Sequence, residues 1–497
     1  MDINRRNFVG GLSALGMLSL GCKAFAVPAN AVIGDPGKIR LKFGVLSDVH
    51  LHNGAAKAPE KTALFHALTW FSQHGVDAVV FAGDITDGGT PVQYECFDKV
   101  WNMVFPGGKR ADGGAVVCVA ANGNHDTWGK SWQENFSKCI HHAPYERSFV
   151  KTVKGYTFLC VNWDGVGKAD EFISSQASNL PADKPFFYVQ HPHPRNTCYS
   201  YWAWGADRGH TTRALSKYPN AVAFSGHSHY TLTDERSIWQ DSFTSIGTSS
   251  LSYTSYDYDF RENQAVVFPG PADAPKRQRT MRCINGSPGK QGMLVTVFDD
   301  HLRIARYDFV ANASLGDDWV VPTGVNAPRP YNFKDHAARR TAPEFPQGAG
   351  DGISFQVLKN DAALKVCRDE VAKELKSSGK GKDEIDKAVE ERQAKLPPHK
   401  VRIEFPSAEA RNGCQVFEYQ IAAILVEREL DLPFMARRVM APDYFYGPDT
   451  PRRPGECEFL LGDMPAGSRI RFEITPIECF GKKGKPILSK VWCSPRR

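Results

Sequence analysis

Lys42-Phe43-Gly44-Val45-Leu46-Ser47-Asp48-Val49-His50 is a short apolar run that stops on a carboxylate and an imidazole two residues apart. A run of this length reads as a buried strand, which leaves the polar pair in the loop beyond its end. The pattern recurs along the chain. Ala78 to Phe81 stops at Gly83-Asp84, and Val116 to Val119 leads into Gly123-Asn124-His125-Asp126. Phe186 to Val189 leads into His191, and Ala221 to Phe224 into Gly226-His227-Ser228-His229. Between the first two runs Leu64, Phe65, Leu68 and Phe71 repeat at helical spacing, and Gly75 supplies a stop. Strand, helix, strand with polar residues after the strand ends is an α/β layout, in which binding sites gather at the carboxyl edge. Thr157 to Val161 and Phe243 to Ile246 read as further strands. Met293 to Phe298 and Leu302 to Tyr307 read as a closing hairpin around Asp299-Asp300.

The residue types at these strand ends suit two adjacent metal ions. Phosphoester hydrolysis is slow because a weak nucleophile must approach an anion. Two metals roughly 3.5–4 Å apart neutralise the phosphate oxygens and acidify a bridging water. Asp84 is the natural bridge, since a carboxylate has two oxygens to divide. Asp48 and His50 can reach one ion together, and His227 and His229 can serve one ion each. Asn124 offers a neutral carbonyl oxygen and His191 another imidazole. His125 is placed to meet substrate and protonate the leaving oxygen. Asp126 is placed to orient that imidazole.

The five motifs in this order resemble the calcineurin-like metallophosphoesterase superfamily, over roughly residues 40 to 310. The resemblance implies two mixed β-sheets sandwiched between helices. It implies dinuclear metal-dependent hydrolysis of phosphoester bonds by a metal-bound hydroxide. Asp48, His50, Asp84 and His229 would bind the first ion, and Asp84, Asn124, His191 and His227 the second. His125 would be the catalytic histidine. The ions would be Mn, Fe or Zn. Purple acid phosphatases carry a tyrosine ligand just after their Gly-Asp; here the sequence is Gly83-Asp84-Ile85-Thr86-Asp87, which does not support a tyrosinate-iron site. The Gly-Asn-His-Asp form resembles cyclic-nucleotide phosphodiesterase-like relatives and tilts the expectation toward phosphodiesters. A phosphomonoesterase is the alternative. A non-catalytic exported binding protein is the alternative of another class.

Specificity is expected from the loop after His191, where Arg195 could hold a phosphate oxygen and Tyr201 and Trp202 could stack on a base or sugar. The same aromatics could instead simply pack the loop. Ser249 to Tyr258 is a second Ser/Tyr-rich loop near the expected mouth. His52, His193 and His210 fall near the site, and solvated loop histidine is their simplest reading.

The 497 residues exceed one ordinary domain. The formal charge, 61 basic against 55 acidic residues, is too small and dispersed to indicate stable nucleic-acid binding. Asn4-Arg5-Arg6-Asn7-Phe8-Val9 looks like a twin-arginine export signal, followed by an apolar stretch from Gly10 to Leu20 too short for a comfortable span. Ala24-Phe25-Ala26 fits a cleavage site, giving a signal over 1–26, recognition by the twin-arginine machinery and a periplasmic or secreted product. Lipidation at Cys22 is a lesser alternative, and no later segment reads as transmembrane. Folding around metals before export would let manganese or iron load ahead of zinc. Cys118 and Cys160 read as core residues, while Cys457, Cys479 and Cys493 could form a disulfide.

Residues 40–310 thus form the expected catalytic domain and 311–350 a linker, pinned to it by Trp319, Val320 and Val321. Residues 351–497 read as a small antiparallel β-sandwich. Arg469 to Ile474 alternates strictly, and Val401 to Phe405, Val416 to Ile421 and Glu458 to Leu461 are similar. A charged insertion, Arg368 to Lys395, carries Ile385, Ala388, Val389 and Arg392 at helical spacing and reads as a solvated helical hairpin.

Overall fold

The computed structural model describes residues 37–53, 59–199, 201–258, 280–284, 290–395, 399–409, 415–427, 430–448 and 450–495. The expected export signal and Cys22 lie outside them. The Lys42-to-Leu46 run is strand β1 (Leu41–Leu46), followed by helix α1 (Pro59–Gln73), β2 (Ala78–Ala82), helix α2 (Pro91–Val104) and β3 (Val117–Ala121). β1 pairs parallel with β2, and β2 with β3. A second block holds β4 (Ser148–Val153), β5 (Tyr156–Val161), β6 (Phe186–Val189), β7 (Ala221–Ser225), β8 (Ile238–Gln240) and β9 (Thr244–Gly247). β5, β6, β7 and β9 run parallel, with β4 and β8 antiparallel at the edges. A short pair, β10 (Thr254–Tyr258) and β11 (Thr280–Ile284), precedes the return to the first sheet. That return is the hairpin of β12 (Gln291–Val297) and β13 (His301–Asp308), with β12 antiparallel to β1. β14 (Ala313–Ser314) and β15 (Trp319–Pro322) pair with β13, with Trp319, Val320 and Val321 opposite Ile304, Arg303 and Leu302.

The two sheets are mixed and stack face to face, and the burial pattern explains why their strands read as unbroken apolar runs. Residues 43, 45 and 80 face the other sheet. There Phe43 meets Phe158, Phe187 and Phe224 edge-on, with ring centroids 5.4, 4.8 and 5.8 Å away. The alternate residues, such as Val79 and Phe81, pack on Leu64, Leu68 and Phe71 of α1 and Phe97 and Trp101 of α2. The second sheet is covered on its outer face through Phe186 and Tyr188, packed with Ile173 and Leu215. Every expected ligand therefore follows the carboxyl end of a strand buried on both faces. In the first sheet the parallel strands end at Leu46, Ala82 and Ala121; in the second, at Val189 and Ser225.

Beyond the linker come β16 (Ser354–Leu358), helices α3 (Asp361–Ser377) and α4 (Lys382–Gln393), and β17 (Lys400–Phe405). They are followed by β18 (Val416–Glu427), β19 (Leu430–Met440), β20 (Gly455–Leu460), β21 (Arg469–Glu478), β22 (Ile487–Leu488) and β23 (Trp492–Cys493). These strands form two antiparallel sheets, β16-β17-β20 and β19-β18-β21-β22 with β23 on β21. Phe405, Phe459, Tyr419 and Phe472 share one core between them. The charged insertion is a helical hairpin held by Val371, Ile385 and Val389 and by an Arg392–Glu374 pair at 3.1 Å. No helix of the described residues is long and apolar enough to cross a membrane. Cys457 and Cys493 are free thiols, and burial pushes Cys457 up to about 12.

The described residues from 39 onward pack as one compact unit. The joint between the front sheets and the linker is polar and buried. Glu235 accepts from Trp319 Nε1 at 3.0 Å and pairs with Arg306 at 2.9 Å, His336 at 3.2 Å and Arg340 at 3.4 Å. Burial alone would raise the Glu235 carboxyl, but Arg306, Arg340 and His336 outweigh it and hold it far below its usual value of 4.5. The stability this gives is fully present above about pH 4.5 and erodes as pH falls through the lowered range. Glu235→Gln is expected to cost about 3–5 kcal/mol at pH 7, because it leaves buried arginines uncompensated. Urea midpoints of the two proteins should converge as pH falls below about 4.5.

Candidate metal centre

Five of the expected ligands sit in a backbone conformation that side-chain-bearing residues rarely adopt. Asp48, His50, Asp84, His227 and His229 have φ of 49, 47, 49, 71 and 58°. Such residues cost of order 1–3 kcal/mol each, and they cluster where function over-determines them. The tight turns fold the side chains back over the strand ends. Asp48 N donates to Gly83 O and His50 N to Asp84 O, both at 3.0 Å, so the first two loops zip together. Two motif glycines are required by close approach. A Cβ on Gly123 would lie 2.1 Å from Asp84 Oδ1, and one on Gly226 2.4 Å from Asp48 Oδ2.

The ligand atoms converge in overlapping groups. Asp48, His50 and His229 form one, Asp84, His191 and His227 a second, and His50, Asp84 and His125 a third. His229 Nε2 is 3.0 Å from Asp48 Oδ1, and His191 Nε2 is 3.0 Å from Asp84 Oδ2. His50 Nε2 stands 3.2 Å from His229 Nε2 and 3.8 Å from Asp84 Oδ2, so Asp84 faces both sides. Three of the four imidazoles are held from behind, through Nδ1: His50 by Asp87 Oδ1 at 3.2 Å, His191 by Ala82 O at 2.8 Å, His229 by Tyr253 O at 3.0 Å. Such outer hydrogen bonds fix the tautomer and aim Nε2 at an ion.

Burial would raise the Asp48 carboxyl, but His229, His191 and His50 hold it well below the usual range. Asp84 is likewise kept low, with His191 overcoming burial. His191 would be lowered by burial but is lifted to about 9 by Asp84 and Asp48. Burial, helped by His191, drives His227 down to about 3. Asn124 supplies the test of fit. Its Oδ1 is buried with no hydrogen-bond partner among the described residues, and its neighbour His125 donates N–H to Asp84 Oδ1 at 2.9 Å. An orphaned carbonyl oxygen beside converging carboxylates and imidazoles is a donor set that suits a cation.

His125 lies at the rim, about a quarter exposed, with its ring 4.6 Å from His50 and 3.9 Å from Trp128. Its Nδ1 meets Asp87 O at 2.9 Å. Asp126 does not orient it. The Asp126 carboxylate is fully buried and accepts from Thr86 N at 2.8 Å, Thr86 Oγ1 at 2.7 Å and Gly123 N at 2.9 Å, which tie two ligand loops together. Burial and Asp84 raise this carboxyl to about 6. The positioning role falls instead to Asp87, which sequence reasoning passed over although it stands three residues after Asp84.

The loop after His191 turns inward rather than lining an open mouth. Cys198 and Tyr199 are buried, and Tyr199 packs on Tyr230 at 4.8 Å and under Arg236 at 4.1 Å. Arg195 is exposed, with its backbone N bound to Asp207 at 2.9 Å. Tyr201 and Trp202 fall in a short turn, Tyr201–Trp204, and their side chains lie outside what is described. His210 is engaged by Asp170 at 2.9 Å. The second loop does reach the site: Tyr253 lies 4.2 Å from His229 and stacks on His50 at 6.0 Å.

His193 is no solvated loop histidine. It is fully buried, pushed down to about 3 by burial, and bridges Ser225 Oγ at 2.6 Å to Ser228 Oγ at 2.8 Å. Ser228 stands between His227 and His229, so His193 aims both. His193→Ala is expected to weaken metal binding by roughly 10–100-fold, the usual cost of an outer-layer partner, as read by chelator competition.

Residues 41–231 match a family model described as calcineurin-like phosphoesterase. Among solved structures the chain is similar to a dimetal phosphatase from Danio rerio, at 10% identity and a TM-score of 0.36, covering 58% of this chain and 100% of that one. It is similar to a purple acid phosphatase from yellow lupin (Lupinus luteus) seeds at 11% identity and a TM-score of 0.39, covering 61% and 56%. Vacuolar Protein Sorting 29 from Cryptosporidium parvum aligns at 9% identity and a TM-score of 0.28, covering 58% and 100%. No curated protein matches.

Proposed function

We propose, from the premise that residues 41–231 are a calcineurin-like phosphoesterase domain, that this protein hydrolyses phosphoesters with two metal ions. The observation that carries the reading is the converging donor set, completed by the orphaned Asn124 Oδ1. Asp48, His50 and His229 would hold one ion, Asn124, His191 and His227 the other, and Asp84 both. When bound, the ions supply positive charge against the phosphate oxygens and make water acidic enough to attack phosphorus near neutral pH. The chain's own residues do the rest. Asp87 O holds His125 through Nδ1, which leaves Nε2 to deliver a proton to the departing oxygen. Tyr253 covers His50 and His229 and restricts water on that side.

Diesters are the favoured substrates in this reading, on the strength of the Gly-Asn-His-Asp motif. Export through the twin-arginine route to the periplasm rests on Arg5-Arg6 and the apolar stretch that follows, with a back domain over 351–497. The direct test is hydrolysis of bis-p-nitrophenyl phosphate beside p-nitrophenyl phosphate, by metal-stripped protein given manganese, iron or zinc. Metal-dependent turnover with the diester faster is expected. Turnover with the monoester faster removes the diester preference alone. No turnover with any of the three metals removes the enzymatic reading.

A further inference from the structure

A groove of about 1010 Å³ runs from the metal-ligand cluster along α1. Its inner end is His50 and Asp87; its outer end is Trp70, Tyr307 and Phe309. Trp70 lies on Tyr307 at 4.5 Å and 25°, and against Phe309 at 5.8 Å, so the outer end is a continuous apolar wall. The volume is that of a site for a sizeable organic group.

Charge narrows the occupant. The groove's carboxylates are Glu60 and Asp87, bridged by His52 at 3.9 and 3.3 Å. Its lysine and arginine complement among the described residues is Lys290 alone, and Lys290 Nζ donates to the Ser252 carbonyl. A second phosphate or a polynucleotide backbone needs cations to meet it. This groove offers one that is already engaged, set against two carboxylates. An apolar chain or ring needs no cation and gains from Trp70, Tyr307 and Phe309. Direction follows from Asp87, whose carbonyl accepts from His125. The groove opens on the edge where His125 stands, so it faces the group that departs rather than the one kept on phosphorus.

We propose that this groove is the leaving-group site for an ester that joins a single phosphate to a bulky apolar alcohol, alkyl or aryl. The proposal rests on the phosphoesterase reading above. Water oxygen bonds to phosphorus, its proton passes to solvent, from which His125 is later reprotonated, and the P–O bond to the alcohol breaks. The electron pair leaves on the alcohol oxygen, which takes a proton from His125, and the neutral alcohol is released into the groove.

The test uses full-length protein loaded with manganese. Its substrates are n-alkyl phosphates from ethyl to octyl with their methyl diesters, phenyl and naphthyl phosphates, and nucleoside mono- and diphosphates. Expected is a rise in kcat/KM of about fourfold per methylene, the worth of a buried CH2, and no gain from a second phosphate. Trp70→Ala should flatten that dependence. Thr69→Glu, which puts a charge in the groove without opening a cavity, should do the same and serves if Trp70→Ala does not fold. A rise in the alkyl series alone assigns a lipid-like alcohol; a rise from phenyl to naphthyl alone assigns an aromatic one. A flat response with p-nitrophenyl esters still hydrolysed, or nucleotides turned over faster than octyl phosphate, overturns the proposal and leaves the phosphoesterase reading standing. Hydrolysis of no ester at all overturns both.

Discussion

Asp84→Ala is expected to empty both metal positions and to remove turnover with them. Asp84 Oδ2 is 3.0 Å from His191 Nε2 and 3.8 Å from His50 Nε2, and each of those imidazoles belongs to a different side of the cluster. Its other oxygen accepts the His125 N–H at 2.9 Å. Deleting the carboxylate therefore strips a ligand from two groups and loosens the loop that carries both Asn124 and His125. The loss in affinity should exceed the roughly 10–100-fold typical of an outer-layer partner. Asp48→Ala is the matched comparison, because Asp48 belongs to the group with His50 and His229. Metal analysis should find one ion retained in Asp48→Ala and none in Asp84→Ala. Two ions retained in Asp84→Ala would remove the shared-ligand assignment.

His125→Ala should leave metal content unchanged and cut turnover by roughly 10²–10⁴-fold, the usual worth of a positioned general acid. The size of the loss should depend on the leaving group. A nitrophenolate departs with little help, so its ester should lose least; an alkyl ester needs a proton and should lose most. Asp87→Ala should instead weaken metal binding, since it removes the carboxylate behind His50, and should spare proton transfer, because the carbonyl behind His125 remains. Equal losses for nitrophenyl and alkyl esters would mean that His125 binds substrate without transferring a proton.

The strands and the candidate ligand positions at their ends were legible because each candidate follows an apolar run, and two buried faces make such runs continuous. What was not legible depends on where side chains point. Asp126 adjoins His125 in sequence, yet a short helical turn sends its carboxylate to Thr86 and Gly123. Asp87 does the positioning from a different loop, at a separation no local pattern encodes. Trp70 reads as one more residue of an apolar helix, and its place in the groove appears only when β13 brings Tyr307 beside it. Strand β19 escaped notice because Pro433, Arg437 and Arg438 interrupt its pattern. Among the described residues it is an edge strand paired only with β18, where a proline and charges are tolerated, and Pro433 sits at the register shift opposite Ile424. His193 shows the converse: a histidine between two prolines reads as loop, and only the buried hydroxyls of Ser225 and Ser228 explain it.

The segment just after His229 carries one more consequence. Thr231 to Ser237 is buried throughout; Leu232 N donates to Gln291 at 2.8 Å, Thr233 donates to the Tyr444 carbonyl, and Arg236 lies over Phe417 at 4.7 Å. A ribosome delivers all seven candidate ligand residues long before it delivers Phe417 and Tyr444. During synthesis the front half therefore emerges with its ligand loops present but the strap behind His229 still open, and the last strands must arrive before that strap is fixed. A truncated chain that lacks the back sheets is expected to exchange metal faster than the finished chain, as read by chelator competition.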